Sequence, residues 1–127
     1  MNQSFEDPKL GRKFDSGKTR YGLLPSKALK EVADVLTVGA KKYAPENWRY
    51  VENGKERYFD AALRHIWQWK DESKTDAETG KHHLAHAICC LMFITDLELQ
   101  ESVALEQQSI LTPPTKPDII DTVTIKL

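Results

Sequence analysis

The segment from Leu84 to Ile94 constrains the fold most, because it has apolar side chains on every face of a predicted helix. A helix without a polar stripe has to be buried on all sides. The chain has 127 residues, of which 40% are hydrophobic, so it can form only one small core. We therefore expect a single all-α domain, residues 1–127, in which a second subunit completes the burial of this helix.

Hydrophobic periodicity predicts two further helices before this one. The first begins at Pro25 or Ser26, ends at Tyr43 and has apolar residues at helical spacing: Leu29, Val32, Ala33, Leu36 and Ala40. Its opposite side has Val38 beside the acids Glu31 and Asp34 and is flanked by Val35. These valines indicate a helix covered on two sides. The second runs from about Glu56 to Glu72. Its predicted core face has Phe59, Ala62, Leu63, Ile66, Trp67 and Trp69, and its predicted polar face has Asp60, Arg64, His65 and Gln68.

The third helix is predicted from His82 to about Gln107, and the prolines that follow it prevent its continuation. Residues 1–22 are polar and basic and are predicted to form an arm. Residues 23–108 are the predicted helical core, and residues 109–127 are predicted to be an extended tail. The sequence therefore predicts a helical bundle with extended N- and C-terminal arms.

Composition excludes several classes of protein. The 18 basic residues balance 19 acidic ones and leave a net charge of -1, so we expect no stable nucleic-acid partner. No apolar run approaches the ~18 residues of a membrane span, and no signal peptide is visible at the N-terminus. Cys89 and Cys90 are adjacent and point apart on a helix, so no disulfide is expected between them. These features predict a cytoplasmic protein without a membrane partner.

Two pairs of side chains have the spacing of metal ligands. Glu31 and Asp34 are three residues apart on the first helix, and His83 and His86 have the same spacing on the third. Facing helices of a bundle can bring such pairs together around divalent cations. Carboxylates bind Mg²⁺ and Mn²⁺, and imidazole favours Mn²⁺ over Mg²⁺. The alternatives without a metal are surface charges for the acids and core histidines for the imidazoles.

Other site chemistries have less support. A zinc site made of His82, His86 and either Cys89 or Cys90 is conceivable, although no glutamate lies between the two histidines. The chain has no P-loop, no Gly-x-Ser-x-Gly motif and no His-Asp dipeptide. Phosphate-loop, serine-nucleophile and HD-type chemistry are therefore not expected.

The sequence resembles the MazG and phosphoribosyl-ATP pyrophosphatase group, whose helices have Glu-x-x-Glu/Asp and Glu-x-x-Asp motifs. Glu31-Val32-Ala33-Asp34 matches the first motif, and His83-Leu84-Ala85-His86 takes the place of the second with histidines for acids. Residues 11–98 are similar to the phage dATP/dGTP diphosphohydrolase branch (MazZ-like). The similar segments are 12–18, 23–25, 39–43, 47–49, Tyr58 with Arg64-His65, 78–80 and 82–87.

This resemblance implies hydrolysis of a purine deoxynucleoside triphosphate to the monophosphate and pyrophosphate. The branch includes enzymes of phages that replace adenine by 2-aminoadenine, which favours dGTP over dATP and a role in shaping the phage nucleotide pool. It implies two or three Mg²⁺ or Mn²⁺ ions and a dimer or a dimer of dimers with sites near subunit interfaces. If the chain is phage-encoded, it would act in the host cytoplasm.

The candidate site residues follow from the ligand spacing and from the resemblance. We expect Glu31, Asp34, His83 and His86 to bind the metal ions. Another metal ligand or a general base can come from four further acids, of which Asp76 is our choice as a catalytic residue: Asp60, Glu72, Asp76 and Glu78. The predicted phosphate-binding cations are Lys18, Arg20, Lys42 and Arg64.

The loop after the first helix offers groups suited to a purine base. Trp48 has a ring on which a base can stack, and Asn47 can both donate and accept hydrogen bonds at the base edge. The alternative is that Trp48 anchors the loop to the bundle. The rival for the whole chain is a non-catalytic helical dimer that serves as an accessory or regulatory protein.

Overall fold

Three helices form the domain in a computed structural model, which describes residues 9–111. Helix α1 is Ser26–Lys42, α2 is Gly54–Asp71 and α3 is His83–Leu111. Short 3-10 helices at Tyr21–Leu23 and Asn47–Tyr50 precede α1 and α2. Within residues 9–111 there is no strand, and a single antiparallel bridge joins Thr75 to His82. The prediction of an all-α fold is confirmed.

The predicted helix bounds differ from those of the structure by a few residues only. α3 continues to Leu111, past the predicted end near Gln107, because no proline occurs before residue 113. The predicted C-terminal tail lies outside the described residues from position 112 onward, as do the first eight residues of the predicted N-terminal arm. The described part of that arm, residues 9–20, contains no helix or strand.

Helix α2 runs antiparallel to α3 along most of its length. Lys55 near the start of α2 pairs with Glu101 of α3, and His65 near its end contacts His83 at the start of α3. Small side chains make this close approach possible: Ala62 of α2 packs with Ala87 and Cys90 of α3. α1 packs on another side of α3, where its Val32 meets Ala85 and Cys89.

The predicted inward face of α2 was right for Ala62, which is buried, and for Ile66, which packs against the core, but wrong for four other residues. Phe59, Leu63, Trp67 and Trp69 are exposed, whereas His65, assigned to the polar face, is turned toward α3. The reason is steric. Helices approach closely where their facing side chains are small, and Ala61 and Ala62 are the small residues of α2. Bulky side chains between the helices would have forced α2 away from α3.

The part of the chain that the structure describes covers α3 incompletely. Four of its small residues are buried (Ala85, Ala87, Cys89 and Cys90), but Ile88, Leu91 and Met92 are 40%, 46% and 48% exposed. α1 meets α3 on one side, while its acidic side faces the loop before α3 and Val38 stays exposed. Residues 9–110 therefore leave part of the apolar surface of α3 exposed.

The length and hydropathy of the described helices decide whether any of them could span a membrane. None of the helices in residues 9–111 combines the length and the apolar character that crossing a bilayer would require.

Candidate active site

Residues 74–83, which we name the connector, join α2 to α3 in a closed loop. The backbone N–H of Asp76 donates to the carbonyl of Lys81 at 2.8 Å, and that of Gly80 donates to the carbonyl of Asp76 at 2.7 Å. Gly80 has a φ of 73°, in the left-handed region where a side chain would be strained. These bonds fix the shape of the connector and thereby the positions of its side chains.

The two acids of α1 both face the connector. Oε2 of Glu31 accepts a hydrogen bond from the backbone N–H of His82 at 2.9 Å. Oδ2 of Asp34 accepts from the ammonium groups of Lys30 and Lys81, each at 3.0 Å. Hydrogen bonds from Lys30 and then Lys81 hold the pKa of Asp34 below its usual value. Asp34 is therefore an ionised carboxylate that already attracts two positive charges.

Three histidines and an aspartate cluster between α2, the connector and α3. Nδ1 of His65 lies 3.0 Å from Nδ1 of His83, which is only 4% exposed. The ring of His86 stacks on that of His65, with ring centroids 4.4 Å apart. Nε2 of His86 lies 2.7 Å from the Thr79 hydroxyl and 3.9 Å from Oδ2 of Asp76. The side chains of this cluster hold one another in place.

Burial and hydrogen bonds shift the pKa values of three side chains in this cluster. It lowers the pKa of His65 to about 4, with the charge of His86 acting in the same direction, and it also lowers the pKa of His86. Burial raises the pKa of Asp76, but hydrogen bonds from the backbone and hydroxyl of Thr79 outweigh that effect and hold the pKa below its usual value. At neutral pH His65 and His86 are therefore neutral imidazoles, and Asp76 is an ionised carboxylate.

The structure divides the predicted metal ligands between two places. In residues 9–111, one group of three or more His, Cys, Asp and Glu side chains has ligand atoms within 4.8 Å of one another: His65, Asp76 and His83. Glu31 and Asp34 lie outside this group, and His86 is turned toward Thr79. The four expected ligands are thus separated into a carboxylate pair, Glu31 and Asp34, and a His–Asp triad, His65, Asp76 and His83, which includes one of the two expected histidines. The reason is that His65 of α2 occupies the position beside His83.

The zinc alternative does not fit the described residues. Nδ1 of His82 accepts a hydrogen bond from the backbone N–H of Leu84, so this imidazole caps α3. Burial raises the pKa of Cys89 to about 12 and that of Cys90 to about 11. Zinc binds the thiolate form, which both cysteines disfavour at neutral pH.

The four predicted phosphate-binding cations lie in three different parts of the chain. Nζ of Lys42 lies 3.1 Å from Oε2 of Glu78 on the connector, so the end of α1 reaches the candidate site. Arg64 is exposed on α2 and immediately precedes His65. Lys18 and Arg20 lie in the exposed N-terminal segment, where the N–H of Lys18 closes a turn. The contacts of residues 9–111 therefore connect Lys42, but neither Lys18 nor Arg20, to the connector.

The loop predicted to bind the base packs against the middle of α3. The Trp48 ring stacks on Phe93 with centroids 4.5 Å apart and an interplanar angle of 10°, and the Arg49 guanidinium lies 4.3 Å from the Trp48 ring centroid. The structure thus favours the anchoring role of Trp48 over the base-stacking role, because its ring is already engaged. Asn47 is exposed, and the contacts described in residues 9–111 do not join it to the connector.

Sequence reasoning missed three residues of this site. His65 was assigned to a polar face, although the pair Arg64-His65 is part of the family resemblance and precedes the apolar Ile66. Lys81 pairs with Asp34, and Thr79 joins Asp76 to His86. The motif Glu78-Thr79-Gly80 was the only sequence signal for Thr79, and no signal indicated Lys81.

The fold and the site together define an all-α domain with a polar centre of acids, lysines and histidines. The chain belongs to the family described as dATP/dGTP diphosphohydrolase, N-terminal, whose model matches residues 8–107. A protein named dATP/dGTP diphosphohydrolase from Salmonella phage PMBT28 is 43% identical over 84 residues, which are 66% of this chain and 28% of that protein. The chain thus spans less than a third of the length of this relative. No solved structure matches the chain. The resemblance to the phage branch is confirmed.

Proposed function

We propose that this domain hydrolyses purine deoxynucleoside triphosphates, dGTP or dATP, to the monophosphate and pyrophosphate. Water attacks the α- or the β-phosphorus, and the bond from that phosphorus to the oxygen bridging the two phosphates breaks, which releases the monophosphate and pyrophosphate. Family membership and the name of the phage relative support the substrate class. The observation that carries the proposal is the convergence of Glu31, Asp34 and Lys81 at the junction of α1 and the connector.

The carboxylate pair fits the hard divalent cations that the family resemblance implies. Oxygen ligands suit Mg²⁺ and Mn²⁺. Asp34 is ionised and bonds two ammonium groups, so this side of α1 attracts cations. We propose that Glu31 and Asp34 bind Mg²⁺ or Mn²⁺. Such ions would neutralise the triphosphate and lower the pKa of a bound water.

Lysines beside the acids suit the triphosphate. Lys81 bonds Asp34 at 3.0 Å and Lys42 bonds Glu78 at 3.1 Å, and both pairs are partly or largely exposed. An exposed ion pair contributes little, so a lysine loses little by exchanging its carboxylate for a phosphate. We propose that Lys81 and Lys42 bind phosphate oxygens in this way, and that Lys18, Arg20 and Arg64 are the further cations available to the substrate.

The hydrogen bonds of Asp76 argue against a role as general base. Its Oδ2 accepts three hydrogen bonds, from the N–H groups of Glu78 and Thr79 and from the Thr79 hydroxyl. A carboxylate stabilised in this way has a low proton affinity and is a poor general base. We therefore do not assign proton abstraction to Asp76.

A panel of deoxynucleoside triphosphates tests the proposed function directly. With saturating Mg²⁺ or Mn²⁺, purine substrates should yield the monophosphate and pyrophosphate in equal amounts, and we expect dGTP to be preferred over dATP. Chelation of the divalent ions should abolish release. Absence of pyrophosphate with every substrate and metal would instead favour the non-catalytic helical dimer.

We also propose that the domain self-associates through the exposed apolar side of α2. Phe59, Leu63 and Trp67 are spaced four residues apart and form one exposed stripe. Covering such area stabilises an interface by about 25 cal/mol per Å². Light scattering at micromolar concentration should give at least twice the 14.5 kDa of one chain.

Two variants sharpen this prediction of self-association. Leu63→Glu places a charge in the stripe and should shift the protein toward monomer. Tyr50→Glu, an exposed aromatic outside the stripe, is the matched control and should leave the mass unchanged. An unmodified protein that is a fully active monomer would contradict the proposal.

We also propose that the reaction takes place in the cytoplasm, because its proposed substrate is a free nucleotide.

A further inference from the structure

The His–Asp triad brings three ligand atoms from three parts of the chain close together. His65 comes from α2, Asp76 from the connector and His83 from the first turn of α3. Their ligand atoms all lie within 4.8 Å of one another. Two ligands of one ion, each at ~2.1 Å, are at most ~4.2 Å apart. Small side-chain rotations are therefore enough to place all three atoms on a single metal ion.

The distance between the imidazoles also fits a metal ion. Nδ1 of His65 and Nδ1 of His83 are 3.0 Å apart. Two nitrogens bound at ~2.1 Å and at a right angle to each other would be about 3.0 Å apart, whereas a tetrahedral angle would place them about 3.4 Å apart. In the absence of an ion the two nitrogens share a hydrogen bond of this length, so a bound ion would replace that bond with little movement of either ring.

Neighbouring groups hold the triad in position. Oδ2 of Asp76 takes all three hydrogen bonds from Glu78 and Thr79, and within residues 9–111 no hydrogen bond is described for Oδ1 of Asp76. Metal-binding carboxylates are commonly oriented by such hydrogen bonds. His86 stacks on His65 and points its Nε2 at Thr79, so it supports the triad without being part of it.

We propose that His65, Asp76 and His83 bind one transition-metal ion of the Mn²⁺, Fe²⁺ or Co²⁺ type, at a site separate from the carboxylate pair. Two imidazole nitrogens and one carboxylate oxygen are a ligand set for transition metals, whereas Mg²⁺ prefers oxygen. Three protein ligands leave positions open for water or another oxygen ligand. The ion joins α2, the connector and α3, and this inference does not depend on the proposed hydrolysis.

Titration of the metal-free protein with Co²⁺ tests the site without any activity measurement. The visible d–d absorption of Co²⁺ should rise to saturation at a single ion in this site, and elemental analysis after dialysis should retain that ion. Because the ion joins three segments, the melting temperature should rise with Co²⁺. His65→Gln should weaken Co²⁺ binding by more than ~100-fold, since even supporting groups of a metal site contribute 10–100-fold.

Two controls distinguish the triad from the neighbouring imidazole and from the carboxylate pair. His82→Gln removes an imidazole that caps α3 and should leave Co²⁺ affinity within a few-fold of the original. The double variant Glu31→Gln and Asp34→Asn should retain the Co²⁺ spectrum and the gain in melting temperature, even if it eliminates pyrophosphate release.

The partly exposed position of His65 keeps the test interpretable. Circular dichroism of His65→Gln should show a folded helical protein, and Asp76→Asn, which keeps the hydrogen-bond acceptor for Thr79, is a second ligand variant. Unchanged Co²⁺ binding in both ligand variants would overturn the proposal. So would a spectrum that disappears in the Glu31 and Asp34 double variant but persists in His65→Gln.

Discussion

Substitution of Glu31 by Gln, or of Asp34 by Asn, should lower the rate of pyrophosphate release by at least about 100-fold and leave the helical fold intact. Each substitution removes a negative charge from the carboxylate pair that we propose binds Mg²⁺ or Mn²⁺. Glutamine at position 31 retains an oxygen that can accept the hydrogen bond from the backbone of His82. The ion pairs of Asp34 are partly exposed, so their loss should change stability little.

The measurement is pyrophosphate release at saturating Mg²⁺ and Mn²⁺, with the melting temperature recorded for each variant. Asp96→Asn is the matched control, because Asp96 is also an acid paired with a cation, Arg49, but lies on α3 away from the connector. Its activity should stay within a few-fold of the original. Near-normal turnover of either α1 variant would remove the carboxylate pair from the proposed mechanism.

Substitution of Trp48 by Ala should cost about 3 kcal/mol of stability, with little change in KM for the substrate. The Trp48 ring stacks on Phe93. The backbone carbonyl of Trp48 accepts a hydrogen bond from the Tyr58 hydroxyl at 3.0 Å. Removing the ring leaves a cavity between the loop and α3. For a domain of this size, the loss corresponds to a fall in melting temperature of roughly 10–20 °C.

Thermal unfolding and steady-state kinetics together separate the two roles of Trp48. Trp48→Phe retains an aromatic ring against Phe93 and should recover most of the lost stability. If Trp48 instead stacked on the base, Trp48→Ala would raise KM by one to two orders of magnitude, since such stacking contributes roughly 1–3 kcal/mol. That rise, with an unchanged melting temperature, would contradict the anchoring role.

Much of the local structure was predictable because its causes are local. The helical spacing of apolar residues, the prolines near residues 25 and 113 and the glycine at residue 80 marked the helices and loops, and the structure confirms all three helices. The spacing of Glu31 and Asp34 places them on one side of α1 in any helical fold. The motif Glu78-Thr79-Gly80 indicated the loop that positions the cluster.

The site was less predictable because it depends on contacts between distant residues. His65 was placed on the wrong face, since hydrophobicity suggests that Phe59, Leu63 and Trp67 point inward. A residue can face the core because its neighbours are small rather than because it is apolar, as Ala61 and Ala62 show. The hydrogen bonds of Lys81 and Thr79 join residues that only the folded connector brings together.

The sequence by itself determined the class of fold, the approximate helix bounds and the family, because periodicity, helix breakers and ordered motifs are properties of the linear chain. Only the tertiary structure decided how the candidate ligands are grouped. The angle at which α2 meets α3 pairs His65 with His83, and the closure of the connector brings Lys81 to Asp34. These groupings depend on the relative placement of three packed helices, and no local pattern in the sequence encodes a rotation of one helix against another.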